Sequence, residues 1–137
     1  MAYRRATSIL LCFDVNRPDS LSELAKTFLP EIAHHTSFAC AYILVGCKSD
    51  ANYLSVEKVK RLHEKNTSPI TREQAIAFAK ESKCFTYVET SAQFQRNCEE
   101  AFKAAHIAHY AHFYGLKGNI LQSAPAASNK QQNCNVQ

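Results

Sequence analysis

The chain has 137 residues, of which 46% are hydrophobic and 20% are charged, a composition typical of one soluble globular domain. Sixteen basic and 12 acidic residues give a net charge of +4, and the basic residues are dispersed, so we expect no nucleic-acid partner. Only three glycines occur, at positions 46, 115 and 118. The sequence therefore contains neither a GxxxxGK[ST] phosphate loop nor a GxGxxG turn.

The first third of the chain predicts a strand, a helix and a second strand. The nearly continuous apolar run over residues 8–15 is typical of a strand buried on both faces of a parallel sheet. Ser20, followed three residues later by a glutamate, has the spacing of a helix capping box. Pro30 is expected to kink or divide this helix. A second apolar run over residues 39–45 predicts a buried strand that ends at Gly46.

The remaining elements continue this alternation. Residues 55–65 predict a short exposed helix, and Thr71 opens the next helix through a second capping box. Residues 84–89 predict a third strand. Asn97 is expected to cap the last helix, which ends at Gly115. Strands that alternate with helices favour an α/β fold with a parallel sheet.

Two loops at the carboxyl ends of predicted strands carry the residues best suited to bind a ligand. Residues 46–50 (Gly-Cys-Lys-Ser-Asp) follow the second strand, and residues 89–92 (Glu-Thr-Ser-Ala) follow the third. The Asp50 carboxylate can accept two parallel hydrogen bonds from the N1–H and amine of guanine, a donor pair that adenine lacks. The Lys48 stem can lie along a flat base. A polar loop without a ligand is the alternative for each loop alone.

Both loops resemble the guanine-specificity loops of Ras-superfamily small GTPases, which have the motifs NKxD and ETSA. The likeness runs from Tyr3 to about Tyr110, and an extra segment at about residues 51–68 resembles the insert of the Rho branch. The resemblance implies a parallel three-layer, P-loop NTPase-like α/β fold that here lacks the N-terminal strands and the phosphate loop. Residues 1–115 would form a partial small-GTPase domain.

The resemblance also implies roles for single residues. Asp50 would bind N1 and N2 of guanine, and Lys48 would pack along the base. Ser91 and Ala92 would hold O6 and brace Asp50. Cys47 stands where the family motif has Asn, whose hydrogen bonds tie neighbouring loops together. Because a thiol is a weak donor and acceptor, we expect weaker bracing there. No residue is assigned a catalytic or metal-binding role.

A Rho-like, guanine-nucleotide-dependent switch in signal transduction is the function that the resemblance implies. Its ligands would be GTP and GDP, and its partners exchange factors, GTPase-activating proteins and effectors. Mg²⁺ is expected in the complete family fold, but the segments that bind phosphate and Mg²⁺ and support hydrolysis are absent from this sequence. We therefore expect a fragment or truncated form. The alternative is a non-enzymatic interaction module that binds regulators or effectors without nucleotide.

The C-terminal residues 116–137 are rich in Ala, Ser, Asn and Gln and predict a flexible tail. The chain ends in Cys-Asn-Val-Gln, which fits a C-a-a-X box of the farnesyl type at Cys134. Because one lipid chain binds membranes reversibly, we expect a protein of the cytoplasm that attaches to the cytoplasmic face of the plasma membrane. An accidental cysteine near the end is the alternative.

Overall fold

The computed structural model describes Tyr3 and residues 6–36, 40–50 and 68–115. Strands alternate with helices, which confirms the α/β class. The predicted helix over residues 55–65 and the tail over 116–137 lie outside the described residues. In chain order the elements are β1 (Ser8–Asp14), α1 (Pro18–Glu23), a π-helical turn (Leu24–Phe28), α2 (Leu29–His35), β2 (Ala41–Cys47), α3 (Arg72–Glu81), β3 (Thr86–Glu89) and α4 (Cys98–Phe113).

The three strands form one parallel sheet with β2 in the centre. β1 pairs with β2 in unbroken register from Ser8 opposite Ala41 to Asp14 opposite Cys47. β3 pairs with the other edge of β2, and its last residue, Glu89, lies opposite Gly46. The carboxyl ends of all three strands therefore meet at one edge of the sheet, where ligands bind in open α/β sheets.

Helices pack on both faces of this sheet. On one face, the π-helical turn, α2 and α3 contribute to a core of ten buried residues. On the other face, two alanines of α4 pack against two branched residues of β2, because small side chains let a helix approach a sheet closely. The predicted three-layer α/β arrangement is confirmed. The two buried cores consist of Leu11, Phe13, Val15, Leu24, Ile32, Leu44, Ala75, Ala79, Cys84 and Tyr87, and of Ile43, Val45, Ala101 and Ala108.

The first helix begins earlier than its capping pattern predicts. Pro18 lies in the first turn of α1, where the missing N–H of proline costs no hydrogen bond. Arg17 is the N-cap and makes no side-chain cap. The Ser20 hydroxyl instead donates to the Arg17 carbonyl at 2.6 Å and accepts the Asp14 N–H at 3.0 Å. The predicted capping box at Ser20 is therefore wrong, because its hydroxyl joins α1 to the end of β1.

The division of the first helix at Pro30 is confirmed. Pro30 lies in the first turn of α2, and the π-helical turn precedes it directly. Because proline lacks an N–H and its ring clashes with the carbonyl four residues earlier, a wider turn relieves the interruption. Leu24 and Ile32 both remain in the same buried core. The chain therefore crosses the proline without losing its apolar face.

The second strand extends further than predicted, because Gly46 lies inside β2 and Cys47 is its last residue. A Cβ on residue 46 would lie 2.6 Å from the Tyr87 hydroxyl and 3.0 Å from Cγ1 of Val15. Glycine is required there by the packing of its neighbours. The prediction that Gly46 ends the strand is wrong, since a glycine accommodated in a fully paired strand does not break it.

The helices that follow begin where the sequence predicts, although one cap differs. The Thr71 capping box is confirmed: its hydroxyl accepts the Gln74 N–H at 3.3 Å, and the Gln74 side chain accepts the Thr71 N–H at 2.9 Å. Asn97 occupies the N-cap of α4 with a φ of 56°. Its side chain donates to the Glu89 carbonyl at 3.0 Å, so the predicted side-chain cap is wrong. Gly115, with a φ of 65°, follows the end of α4.

Candidate functional site

The loops after β2 and β3 lie side by side at the carboxyl edge of the sheet. The Thr90 N–H donates to the Gly46 carbonyl at 2.8 Å, and the Ser49 N–H donates to the Thr90 carbonyl at 3.0 Å. Both Ser49 and Thr90 are buried. Because these bonds join main chain to main chain, the relative position of the two loops depends little on side-chain rotamers.

A side-chain hydrogen bond connects the same two loops. The Ser91 hydroxyl donates to Oδ1 of Asp50 at 2.6 Å, a length typical of a bond to an ionised acceptor. Ser91 is fully buried and Asp50 is half-buried. Main-chain bonds of 3.0 and 2.8 Å between Ser91 and Arg96 fix the donor. The structure thus brings together Asp50 and Ser91, two of the residues that the sequence predicted for this site, while the neighbouring Ala92 is exposed.

Lys48 directs its ammonium group to the end of β1. The residue has a φ of 60° and an exposed side chain, and its Nζ lies 2.7 Å from Oδ2 of Asp14. The Asn16 N–H and amide donate to Oδ1 of Asp14 at 3.0 and 3.2 Å. The same amide lies 3.4 Å from the Lys48 carbonyl. A third loop, after β1, therefore belongs to the site.

The Asp14–Lys48 pair is charged at neutral pH. Burial raises the pKa of Asp14, but the Lys48 ammonium and the Asn16 donors outweigh burial and hold this pKa below its usual value. The hydrogen bond to Asp14 raises the pKa of Lys48. Asp14 and Asn16 were not among the residues predicted for this site. The rule that pointed to the ends of the second and third strands would have found Asp14, the last residue of the first.

The predicted residue Cys47 and the neighbouring Glu89, which was assigned no role, have different surroundings. Cys47 is half-buried, and its Sγ makes a long 4.0 Å contact with the Val45 carbonyl. Glu89 accepts the Tyr87 hydroxyl at 3.1 Å and lies 3.4 Å from Arg72 Nη1. Since Asp14 pairs with a lysine and Glu89 with an arginine, two of the three carboxylates at this edge have cationic partners.

The described parts of the chain contain no cluster of three His, Cys, Asp or Glu side chains that could hold a metal ion. Within the same parts, no helix is long and apolar enough to cross a bilayer. Cys134, the predicted lipidation site, lies outside the described residues.

Comparison with known proteins agrees with this geometry. Residues 1–110 match the family model of the Ras family. The chain belongs to the Ras family. Human Rho-related GTP-binding protein RhoF is 29% identical over 105 residues, which cover 77% of this chain and 49% of that protein. GTP-binding protein rho1 of Schizosaccharomyces pombe is 30% identical over 105 residues, covering 77% of this chain and 51% of its own length.

These relatives place the chain in the Rho branch of the Ras superfamily, as the sequence predicted. RhoF from Bos taurus is similarly 29% identical and is covered over 48% of its length. The chain thus spans about half the length of the curated relatives it matches. The family match includes both loops of the candidate site, since it extends from residue 1 to residue 110.

Proposed function

We propose that this chain carries the guanine-recognition part of a Rho-type, guanine-nucleotide-dependent switch. The observation that carries the proposal is the 2.6 Å hydrogen bond from Ser91 to Asp50, which joins the loops after β2 and β3. This bond holds the carboxylate at the carboxyl edge of the sheet in one orientation. A carboxylate held in this way is preorganised to accept a planar pair of donors.

Guanine offers that pair, and adenine does not. The Ser91 hydroxyl occupies one acceptor position on Oδ1 of the Asp50 carboxylate. A carboxylate has about four acceptor positions, so capacity remains for the N1–H and exocyclic amine of guanine. Adenine would place the unprotonated N1 against the carboxylate. Two facing acceptors leave both groups unsatisfied, and this is the physical basis of discrimination.

The neighbouring residues complete a base-sized site in this proposal. Lys48 lies along one face of the base, with its ammonium kept in place by the 2.7 Å bond to Asp14. The Ser91–Ala92 turn supplies backbone N–H donors to guanine O6. Cys47 lies at the start of the loop that carries Lys48 and Asp50. Exposed Ala92 presents a small side chain that leaves room for a ligand.

The larger assembly follows from the same proposal. Residues 1–115 form a partial GTPase domain with an insert at about 51–68. In the complete switch the ligands are GTP and GDP with Mg²⁺, and the partners are exchange factors, GTPase-activating proteins and effectors. Hydrolysis of GTP is not assigned to any residue of this chain, since its sequence contains no phosphate loop.

Nucleotide selectivity tests this proposal. Because phosphate contacts are few, binding is followed by ¹⁵N NMR shifts at millimolar nucleotide, with GDP, ADP and xanthosine diphosphate compared. We expect GDP to bind at least about tenfold more tightly than ADP, or about 1.4 kcal/mol. Asp50→Asn should move the preference to xanthosine diphosphate, since xanthine has a carbonyl where guanine has its amine. Asp19→Asn, on an exposed residue of α1, is the matched control.

Two results of this titration would contradict the proposal. If GDP and ADP cause the same shifts, or neither causes any, the guanine site is refuted. The chain would then be better described as the non-enzymatic interaction module. Shifts confined to the loops that contain Asp50 and Ser91 support the site, whereas shifts spread over α2 and α3 count against it.

We also propose that Cys134 is farnesylated and attaches the protein reversibly to the cytoplasmic face of membranes. The support is the C-terminal Cys-Asn-Val-Gln sequence in a chain of the Rho branch. Cys134→Ser should move the membrane fraction of the protein into the soluble fraction of cell extracts. Cys98→Ser, which removes a half-buried thiol on α4, should leave fractionation unchanged. Equal distribution of wild type and Cys134→Ser would refute the anchor.

A further inference from the structure

Two cysteines occupy neighbouring positions on one face of the sheet. Cys12 lies opposite Val45 in the β1–β2 register, and Cys47 lies opposite Asp14. Because side chains alternate between the faces of a strand, the two cysteines point to the same face as diagonal neighbours. Cys12 is exposed and Cys47 is half-buried. The pair therefore adjoins the candidate site and is accessible to small reagents.

The two thiols differ in their acidity. A hydrogen bond with Cys12 lowers the pKa of Cys47 to about 6. Burial and the Asp14 carboxylate oppose this shift, while the Thr90 hydroxyl and the Lys48 ammonium favour it. The same thiol–thiol bond, together with burial, raises the pKa of Cys12. The shared bond therefore favours ionisation of Cys47 over ionisation of Cys12. A thiolate beside a thiol is the arrangement of an attacking and a resolving cysteine.

We propose that Cys12 and Cys47 form a peroxide-sensitive dithiol that closes to an intramolecular disulfide. The Cys47 thiolate attacks hydrogen peroxide, the O–O bond breaks, and sulfenic acid forms while the departing hydroxide takes a proton to become water. The Cys12 sulfur then attacks the sulfenic sulfur. An S–S bond forms, the S–O bond breaks, and the thiol proton leaves with the hydroxide as a second water.

Closure of this disulfide requires the backbone to move. Diagonal neighbours on adjacent strands have α-carbons about 8 Å apart, from a strand spacing of about 4.8 Å and a rise of about 3.3 Å per residue. A disulfide does not span more than about 7 Å between α-carbons without backbone movement. Cys12 lies inside β1, whereas Cys47 is the last residue of β2. We therefore expect the backbone of Cys47, and of Lys48 directly after it, to move when the disulfide closes.

Oxidation should consequently displace Lys48 from Asp14 and weaken binding at the loop. This consequence rests on the proposed function, whereas the disulfide itself does not. Two of the other described cysteines are poorer partners because burial suppresses their ionisation. Cys84 is fully buried, and burial raises its pKa to about 11. Burial also raises the pKa of Cys40.

Peptide mapping of the full chain tests the proposal. The reduced protein at low concentration is treated with one equivalent of hydrogen peroxide, and remaining thiols are blocked with N-ethylmaleimide. Trypsin leaves Cys40 and Cys47 in one peptide, so chymotrypsin, which cuts after Tyr42, is added to separate them. We expect a Cys12–Cys47 cross-linked peptide that is absent after reduction. Cys40→Ser is the matched control and should retain the cross-link.

Each alternative outcome overturns the proposal. A cross-link between other cysteines, a dimer linked between chains, or sulfinic acid at Cys47 without a disulfide would each refute it. Cys12→Ser and Cys47→Asn should both abolish the product, and circular dichroism of each reduced variant verifies its fold. If the disulfide forms while GDP gives no NMR shifts, the dithiol stands and the proposed function fails. If GDP binds but no disulfide forms, the proposed function stands and the dithiol proposal fails.

Discussion

The Tyr87 hydroxyl fills the space that a side chain on Gly46 would need, since a Cβ there would lie 2.6 Å away. Gly46→Ala should therefore force the Tyr87 ring, or the neighbouring Val15, out of its position. We expect the free energy of unfolding to fall by about 1–3 kcal/mol, the usual cost of overpacking a core. Urea denaturation followed by circular dichroism measures the change.

A second substitution shows whether this contact is responsible. Tyr87→Phe removes the hydroxyl that makes the shortest contact, while the ring carbon that would lie 3.2 Å from the added Cβ remains. Adding Tyr87→Phe to Gly46→Ala should recover part of the lost stability, beyond the effect of Tyr87→Phe alone. Strictly additive effects would show that the clash lies elsewhere.

Ser91→Ala removes the hydroxyl that donates to Asp50. Ser91 is fully buried, and a hydrogen bond to a charged group contributes about 1.5–3 kcal/mol. We expect a loss of stability in this range in urea denaturation. Ser22→Ala, at an exposed position on α1, should change stability by less than about 0.5 kcal/mol. If Ser91→Ala costs no more than Ser22→Ala, the bond does not hold the loops together.

Asp14→Asn tests the ion pair with Lys48 through its pH dependence. The pKa of Asp14 lies below its usual value of 3.8 in the folded state. Its contribution to stability is therefore complete above pH 3.8 and disappears as the pH falls through the lower folded value. Wild type should exceed Asp14→Asn in stability at pH 7, and the difference should shrink in acid. A difference that persists unchanged to pH 2 would contradict this account.

β1 is an edge strand, which pairs in the described structure with β2 alone. The Val15 N–H bonds to the Cys47 carbonyl, so the alternate N–H groups of Leu10 and Cys12 face the open edge. Such edges associate, and we expect concentration-dependent self-association in sedimentation velocity. Cys12→Lys should reduce it, whereas Ser22→Lys adds the same charge on α1 and should not. A monomer at every concentration would refute the prediction.

Much of the fold follows from local sequence patterns. The first strand is recognisable because five of its seven paired residues, 9–13, form one apolar run. The start of α3 is recognisable because the Thr71 and Gln74 side chains satisfy the helix end within four residues. In both cases the deciding interactions are local or depend on burial alone, which composition and spacing report directly.

The errors lie where distant residues decide the outcome. Glycine is a residue type that often ends a strand. Gly46 nevertheless lies inside β2, because the Tyr87 hydroxyl, 41 positions away in the chain, occupies the space that a side chain at residue 46 would fill. Asparagine is a common helix N-cap. The Asn97 amide instead donates a hydrogen bond to the Glu89 carbonyl, so it does not cap α4. The Asp14–Lys48 pair joins residues 34 positions apart. Sequence spacing could identify the strand ends, but not which side chains would meet there.

The π-helical turn sets the rotation of one helix relative to the other. A π turn inserts one residue into an α-helical path, and each residue of an α-helix turns the chain by about 100°. Leu24 and Ile32 are eight residues apart and share one core, whereas a regular helix would separate them by about 80°. With the extra residue, Leu24 and Ile32 lie at nearly the same angle around the helix axis. A regular α-helix drawn through the same residues would therefore place Ile32 toward the edge of the buried face, where it would pack less directly against the sheet.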